Sequence, residues 1–312
     1  MCPVWDRLVF LILTLTSMVF IATSCNSVFQ DHIEPNHIVE DSTRLTVLHP
    51  VLATTVLQPG SQRVSFLLTN DAGLVTTPHV TVSTYSGEDS SSSSYAREIT
   101  TAKYIPWPHG RRGNYVSELY FDGPGIWKIN IETAIGYKGD RITQLLVKVT
   151  DGFGVVDVGT YAPKSVSKTL RDVPRPDHFS SAHDPDPELY SISIAEALTL
   201  HRPTLIVFDS PAFCTSPTCG PQLETVIGLK EKYRNEVTFI HVEIFDNPHE
   251  VREGMNNARI SHVVQEWGLT TIPDWNNASW VFLLDEHGKV NSRFESYVSH
   301  EELEHALVNI LE

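Results

Sequence analysis

The sequence has few basic side chains and hardly any long apolar run. Lysine and arginine number 23 against 38 aspartates and glutamates, which gives a formal net charge of −15 over 312 residues. This balance argues against nucleic acid and against an anionic lipid surface as partners. Hydrophobic residues make up 41% and charged residues 20% of the chain. That composition predicts a globular protein, and the length allows two ordinary domains.

One apolar run, residues 8–22, lies near the N-terminus and has the length of a signal peptide, shorter than a comfortable bilayer span. It ends in Ala22-Thr23-Ser24-Cys25, which resembles the bacterial lipoprotein signal, in which such a cysteine is lipidated. The alternative is an uncleaved N-terminal anchor. In both cases we expect residues 1–25 to be a targeting segment and residues 26–43 a polar tether. The rest of the chain would then lie on the extracytoplasmic face of a cell membrane, held there by the lipid or the anchor.

Cysteine is scarce as well. Of the four cysteines, Cys2 and Cys25 belong to the targeting segment, so the exported body holds only Cys214 and Cys219. Two cysteines five residues apart in an oxidising compartment are expected to form a disulfide with each other.

Residues 44–150 carry the pattern of short antiparallel strands. Apolar and polar residues alternate in residues 64–68 and again in residues 127–131, with glycine and proline turns between the runs. This pattern predicts a β-sandwich domain. Residues 115–131 resemble the small immunoglobulin-like modules appended to exported bacterial proteins. No catalytic constellation is visible in this domain.

Residues 151–188 are rich in proline, serine and aspartate, which predicts an interdomain linker. Residues 189–312 then follow the order β-α-β-α-β-β-α. Residues 204–208 are a continuous apolar run typical of a strand buried on both faces, and the cysteines lie in the loop that follows. Capping-box patterns at Ser193 and Ser299 predict where the first and the last helix begin.

This order of elements and the segment TLIVFDSPAFCTSPTCGP, residues 204–221, resemble the thioredoxin-like superfamily, in particular exported members with a C-x4-C site. The resemblance covers roughly residues 190–312. It implies an α/β thioredoxin-like domain acting as a thiol–disulfide oxidoreductase on protein thiols and disulfides, without a cofactor. A cysteine at the start of a helix favours its thiolate, because the helix dipole and the unpaired backbone donors stabilise the negative charge.

Two alignments with the family compete at the cysteines. If Phe213 and Cys214 match the usual aromatic–cysteine pair, Cys214 is the nucleophile and Cys219 resolves the mixed disulfide. If Cys219 and the following Gly-Pro match the usual Cys-Gly-Pro, Cys219 is the nucleophile and Gln222 replaces the second cysteine. The distance from the strand favours the first alignment.

Thioredoxins also place a cis-proline opposite the disulfide. Pro273 is the candidate, because a cis peptide bond is realistic only before proline. Residues 274–279 separate it from the next strand at Trp280, so either they are an insertion or the cis-proline is absent. Asp209, directly after the first strand, is a candidate proton acceptor for the resolving thiol, although such an aspartate more often caps the turn.

Three other functions compete with this interpretation. An inert cystine would staple the loop to its helix, yet closing a six-residue loop contributes little. Sco-type copper chaperones share the fold and bind Cu(I) through C-x3-C and a distant histidine, for which His241 and His262 are candidates beside the two cysteines. Some peroxiredoxins place C-x4-C on one helix but need Thr or Ser three residues before the nucleophile, where Pro211 stands here.

Overall fold

The computed structural model describes residues 47–87, 95–108, 112–133, 142–152, 154–216 and 218–312. The predicted targeting segment, Cys25 and the predicted tether lie outside these residues. The described residues belong to one compact unit, Thr43–Glu312. None of the helices in these ranges has the length and apolar character needed to cross a membrane.

Eight strands make up the N-terminal part of the described chain. They are β1 (His49–Leu52), β2 (Gly60–Asn70), β3 (Gly73–Leu74), β4 (His79–Ser86), β5 (Glu98–Pro106), β6 (Gly113–Phe121), β7 (Gly125–Glu132) and β8 (Ile142–Val149). Successive side chains of a strand point to opposite faces, so the apolar residues of the alternating runs share one face. In β2, Val64, Phe66 and Leu68 are fully buried in the core of this part. The predicted all-β character is confirmed.

These strands pair as one antiparallel sheet in the order β1-β2-β6-β5-β4-β7-β8, with β3 added to β2. The two end strands approach each other, since the Thr143 hydroxyl donates to the Leu48 carbonyl at 3.1 Å. The sheet therefore curls almost into a barrel. An immunoglobulin-like sandwich needs two separate sheets. The described strands do not show them, because β6 pairs with both β2 and β5 and leaves no break between sheets.

The C-terminal part is a sheet with helices on both faces. Its elements are α1 (Ile194–Ala197), β9 (Thr204–Asp209), α2 (Cys219–Tyr233), β10 (Thr238–Glu243), α3 (Pro248–Val251), α4 (His262–Glu266), β11 (Trp280–Leu284), β12 (Val290–Glu295) and α5 (His300–Leu311). The strand order is β10-β9-β11-β12. β10 is parallel to β9, and β11 is antiparallel to both β9 and β12. This is the predicted thioredoxin-like arrangement.

The central strand β9 explains the uninterrupted apolar run in the sequence. Ile206 and Phe208 belong to a core that includes α1 and α4, whereas Leu205 and Val207 belong to a core that includes α2 and α5. Because both faces of the strand are covered, its inner side chains are apolar. The carboxylate of Asp209, at the end of the strand, lies against the ring of His241.

Both predicted helix starts are confirmed. The Ser193 side chain accepts a hydrogen bond from Glu196 N, and the Glu196 carboxylate accepts one from Ser193 N at 2.8 Å. At the start of α5 the Ser299 hydroxyl accepts from Glu302 N at 3.2 Å. These caps satisfy backbone donors that the helix leaves unpaired.

The segment expected to link the domains, residues 151–188, lies partly against the hairpin of β11 and β12. Gly159 N donates to Val290 O at 2.8 Å, and Ala162 N donates to Gly288 O at 2.9 Å. The N-terminal sheet also contacts the C-terminal part, because Arg63 Nε lies 2.5 Å from the Glu302 carboxylate. The start of α5 is therefore tied to β2.

Candidate functional site

Cys214, in the loop between β9 and α2, forms a disulfide with Cys219, the first residue of α2, and their Cα atoms are 6.2 Å apart. The predicted pairing is confirmed. Cys219 is 1% exposed, whereas Cys214 is only half-buried. An attacking sulfur from another molecule would therefore meet Cys214 first.

The loop turns directly after β9. Phe213 N and Cys214 N both donate to Ser210 O, at 3.0 and 2.9 Å. The helix begins at Cys219, and its N-cap residue Thr218 makes no side-chain capping bond. The positive end of the α2 dipole thus lies at Cys219 rather than at Cys214. This placement favours Cys219 as the leaving thiolate when Cys214 is attacked, because a stabilised thiolate leaves faster.

Asn277 is the residue that faces the disulfide. Its carbonyl oxygen lies 3.3 Å from Cys214 Sγ and 3.8 Å from Cys219 Sγ. Its side chain holds the cysteine loop from the other side of the gap: Oδ1 accepts from Thr215 N at 2.9 Å, and Nδ2 donates to Phe213 O at 3.3 Å. The residue has a φ of 49°, in the left-handed region that asparagine adopts more readily than most residues.

Pro273, the candidate for the cis-proline, is exposed in the turn after Ile272. No peptide bond among the described residues is cis. The six extra residues 274–279 instead bring Asn277 opposite both sulfurs. The sequence showed that these residues separate Pro273 from the next strand, unlike the pattern of the family. Nothing in their composition showed which of them would contact the disulfide.

A buried polar cluster lies at the carboxyl ends of β9 and β10, immediately before the cysteine loop. His241 Nε2 is 2.8 Å from Asp209 Oδ1, and His241 Nδ1 is 2.5 Å from the Tyr190 hydroxyl. Glu243, opposite Asp209 in the strand register, accepts from Ser181 N at 2.7 Å. Parallel strands end at the same edge of a sheet, which is why these side chains come together.

Burial sets the protonation of this cluster. It raises the pKa of Asp209 above its ordinary value, and the nearby His241 only partly opposes the rise. Burial by itself lowers the pKa of His241, but the charge and hydrogen bond of Asp209 outweigh it, so the pKa is raised. Burial also raises the pKa of Glu243 and, strongly, that of Tyr190. The cluster therefore holds protons more tightly than the same groups would in water.

The two histidines considered as copper ligands are placed differently. Both ring nitrogens of His241 already have partners, while His262 is exposed at the first position of α4. Over the described ranges no group of three or more histidine, cysteine, aspartate or glutamate side chains could hold a metal ion. Copper binding therefore stays a prediction, and the described residues show no set of ligands arranged for it.

No protein-family model matches this chain, and no curated protein sequence matches it. Among solved structures, the chain is similar to one described as a thiol:disulfide interchange protein, a thioredoxin family protein, from Chlorobium tepidum TLS. The identity is 11%, the match covers 50% of this chain and 99% of that chain, and the TM-score is 0.33. A similarity at this level carries no functional argument, and the thioredoxin-like arrangement rests on the strand order and pairing described above.

Proposed function

We propose that this protein is a thiol–disulfide oxidoreductase that acts on protein thiols and disulfides through Cys214 and Cys219. One observation carries the proposal: the disulfide lies where a buried strand meets a helix, with Cys214 only half-buried and Cys219 buried at the helix terminus. Such a pair suits a two-step exchange, since the more exposed cysteine can form the mixed disulfide with the substrate and the buried cysteine can then resolve it.

In the reduced form, the Cys214 thiolate attacks one sulfur of a substrate disulfide. The substrate disulfide breaks, its second sulfur leaves as a thiolate and takes up a proton, and a mixed disulfide with Cys214 remains. The Cys219 thiolate then attacks Cys214 Sγ, which closes the Cys214–Cys219 bond and releases the second substrate thiol. Two electrons pass from the protein to the substrate, and the same steps run backwards when the substrate is a dithiol.

We assign Asp209 as the group that accepts the proton of the Cys219 thiol. It is fully buried at the end of β9, five residues before Cys214, and burial raises its pKa above the ordinary value, which makes it a stronger proton acceptor than a carboxylate in water. His241 and Tyr190 continue the contact chain from Asp209.

The proposed setting of the reaction comes from the sequence. The signal-like run and Cys25 support an exported protein tethered to the membrane by a lipid or by an uncleaved anchor. The immunoglobulin-like origin of the N-terminal β domain is supported only by the pattern of residues 115–131.

Single-turnover exchange tests the proposal. In a chain with Cys2 and Cys25 replaced by serine, Cys219→Ser should accumulate a mixed disulfide with a disulfide-bonded peptide, because the resolving sulfur is missing. Cys214→Ser should remain unreacted, because its remaining sulfur is buried. Mass spectrometry of quenched samples reports both products. If the reduced parent chain also fails to react with the peptide, the pair is an inert cystine and the proposal is wrong.

A further inference from the structure

A groove lies beside the disulfide loop. It encloses about 420 Å³, and its lining includes Arg175, Asp177, His183 and Arg252. Arg252 links the groove to the cysteine loop, because it lines the groove and its guanidinium lies over the ring of Phe213, the residue before Cys214.

Arg252 is the cation of this groove that no described carboxylate neutralises. Its Nη2 donates to Ser181 O at 2.7 Å, and its guanidinium lies over the Phe213 ring at 5.7 Å from the ring centre. These are the only polar and ring contacts of the Arg252 side chain within the described part of the chain. Arg175, by contrast, is paired with Asp177, with two hydrogen bonds of 3.0 and 2.6 Å.

The surroundings make this cation unusual. The chain carries a formal net charge of −15, so its average field repels an acidic partner. Arg252 is held by one hydrogen bond and one ring contact beside the residue that precedes Cys214, while its side chain remains exposed. A guanidinium has five N–H donors, so four remain after the bond to Ser181, enough for the paired hydrogen bonds that a carboxylate accepts.

We propose that this groove binds a carboxylate side chain of the substrate polypeptide, next to the cysteine that reacts with Cys214. The inference rests on the proposed oxidoreductase function and names its substrate class: protein segments in which an acidic residue flanks a reactive cysteine. Arg252 is then a specificity-determining residue, because it attracts the carboxylate and orients the segment across Phe213.

The reaction that tests this starts from the oxidised form. A thiolate of a dithiol peptide attacks Cys214 Sγ, the Cys214–Cys219 bond breaks, and Cys219 leaves as a thiolate that is then protonated. The second peptide thiolate attacks the mixed disulfide at the peptide sulfur, which forms the peptide disulfide and releases Cys214. Two electrons pass from the peptide to the protein, and no other reductant is required.

The test compares three dithiol peptides that differ at one residue beside the first cysteine, which is Glu, Gln or Lys. Each rate with the oxidised full chain is divided by the rate of the same peptide with a small aromatic disulfide, because the flanking charge changes the reactivity of the peptide thiol itself. We expect a normalised preference for Glu over Lys of roughly fivefold at low ionic strength. High salt should reduce it.

Two variants locate the effect. Arg252→Gln should bring the preference close to one, and Arg252→Lys should retain part of it, since lysine keeps the charge but not the forked geometry. Arg234→Gln makes the same change of net charge at an exposed arginine outside the groove, and should leave the preference intact. Equal normalised rates for the three peptides, or a preference that persists in Arg252→Gln, would overturn the inference and leave the proposed function standing. Failure of every peptide to react would instead remove the proposed function itself.

Discussion

Replacement of Asn277 by alanine should loosen the cysteine loop, because this side chain ties the loop to the segment opposite it. The change removes the hydrogen bonds from Thr215 N to Oδ1 at 2.9 Å and from Nδ2 to Phe213 O at 3.3 Å. It also removes the contact of the Thr215 hydroxyl with Oδ1 at 3.1 Å, but that hydroxyl keeps Asn276 O as a partner. Together these partly exposed bonds contribute about 1–2 kcal/mol. Alanine at a φ of 49° costs roughly 1 kcal/mol more. The free energy of unfolding of the oxidised chain should therefore fall by about 2–3 kcal/mol.

Urea denaturation of the oxidised full chain measures this loss, and two further variants separate its parts. Asn277→Gly removes the same bonds without the penalty of the left-handed conformation, so it should cost about 1 kcal/mol less than alanine. Asn277→Asp keeps the acceptor for Thr215 N and tolerates the backbone angle, but it turns the donor to Phe213 O into an acceptor, so it should cost less than alanine without matching the parent chain. Alanine and glycine variants as stable as the parent chain would refute the reasoning, and so would an aspartate variant as unstable as alanine.

Three other predictions concern the cysteines and the buried cluster. In the reduced chain, alkylation should modify Cys214 at least about tenfold faster than Cys219, because only Cys214 is accessible; peptide mass mapping with faster modification of Cys219 would contradict this. The stability of the chain should fall as pH rises from about 5 to 8, because the raised pKa values of Asp209, His241 and Glu243 let the folded state hold more protons than the unfolded state. For His241 the contribution is complete below its unfolded pKa of 6.5 and is lost as pH passes its folded value, whereas exposed Glu196, with its pKa lowered to about 2, acts only in acid. Urea midpoints that rise over this interval would be inconsistent with the cluster as described. Asp209→Asn should flatten this pH dependence and slow closure of the Cys214–Cys219 bond, while Glu295→Gln, at a buried carboxylate elsewhere, should leave closure unchanged.

Local signals in the sequence predict the C-terminal fold well. The continuous apolar run of residues 204–208 indicates a strand covered on both faces, and the capping residues Ser193 and Ser299 mark the helix starts. The order of these elements leaves few ways to build a sheet, so the topology follows.

The N-terminal sheet is less predictable because its closure depends on long-range pairing. Alternating residues produce the same pattern in a sandwich and in a near-barrel, since both cover one face of each strand. The pairing of β6 with both β2 and β5 distinguishes them, and no local pattern encodes it.

The site was predictable at the cysteines but not at their surroundings. In the segment that brings Asn277 to the disulfide, Asp274 and Asn277 both adopt positive φ angles, 52° and 49°. The sequence of the segment does not predict this conformation. His241 was recognisable on its strand, but its contact with Asp209 depends on the register of β10 against β9. Arg252 lies far from the cysteines in sequence, and only folding brings it over Phe213.

The most direct test of the central claim is the reduction potential of the Cys214–Cys219 pair, measured by alkylation of the full chain equilibrated in graded thiol–disulfide buffers. An exchange-active pair with one accessible sulfur should equilibrate with the buffer at a potential above roughly −300 mV. A pair that stays oxidised to potentials below roughly −300 mV would show a structural cystine and contradict the proposed function.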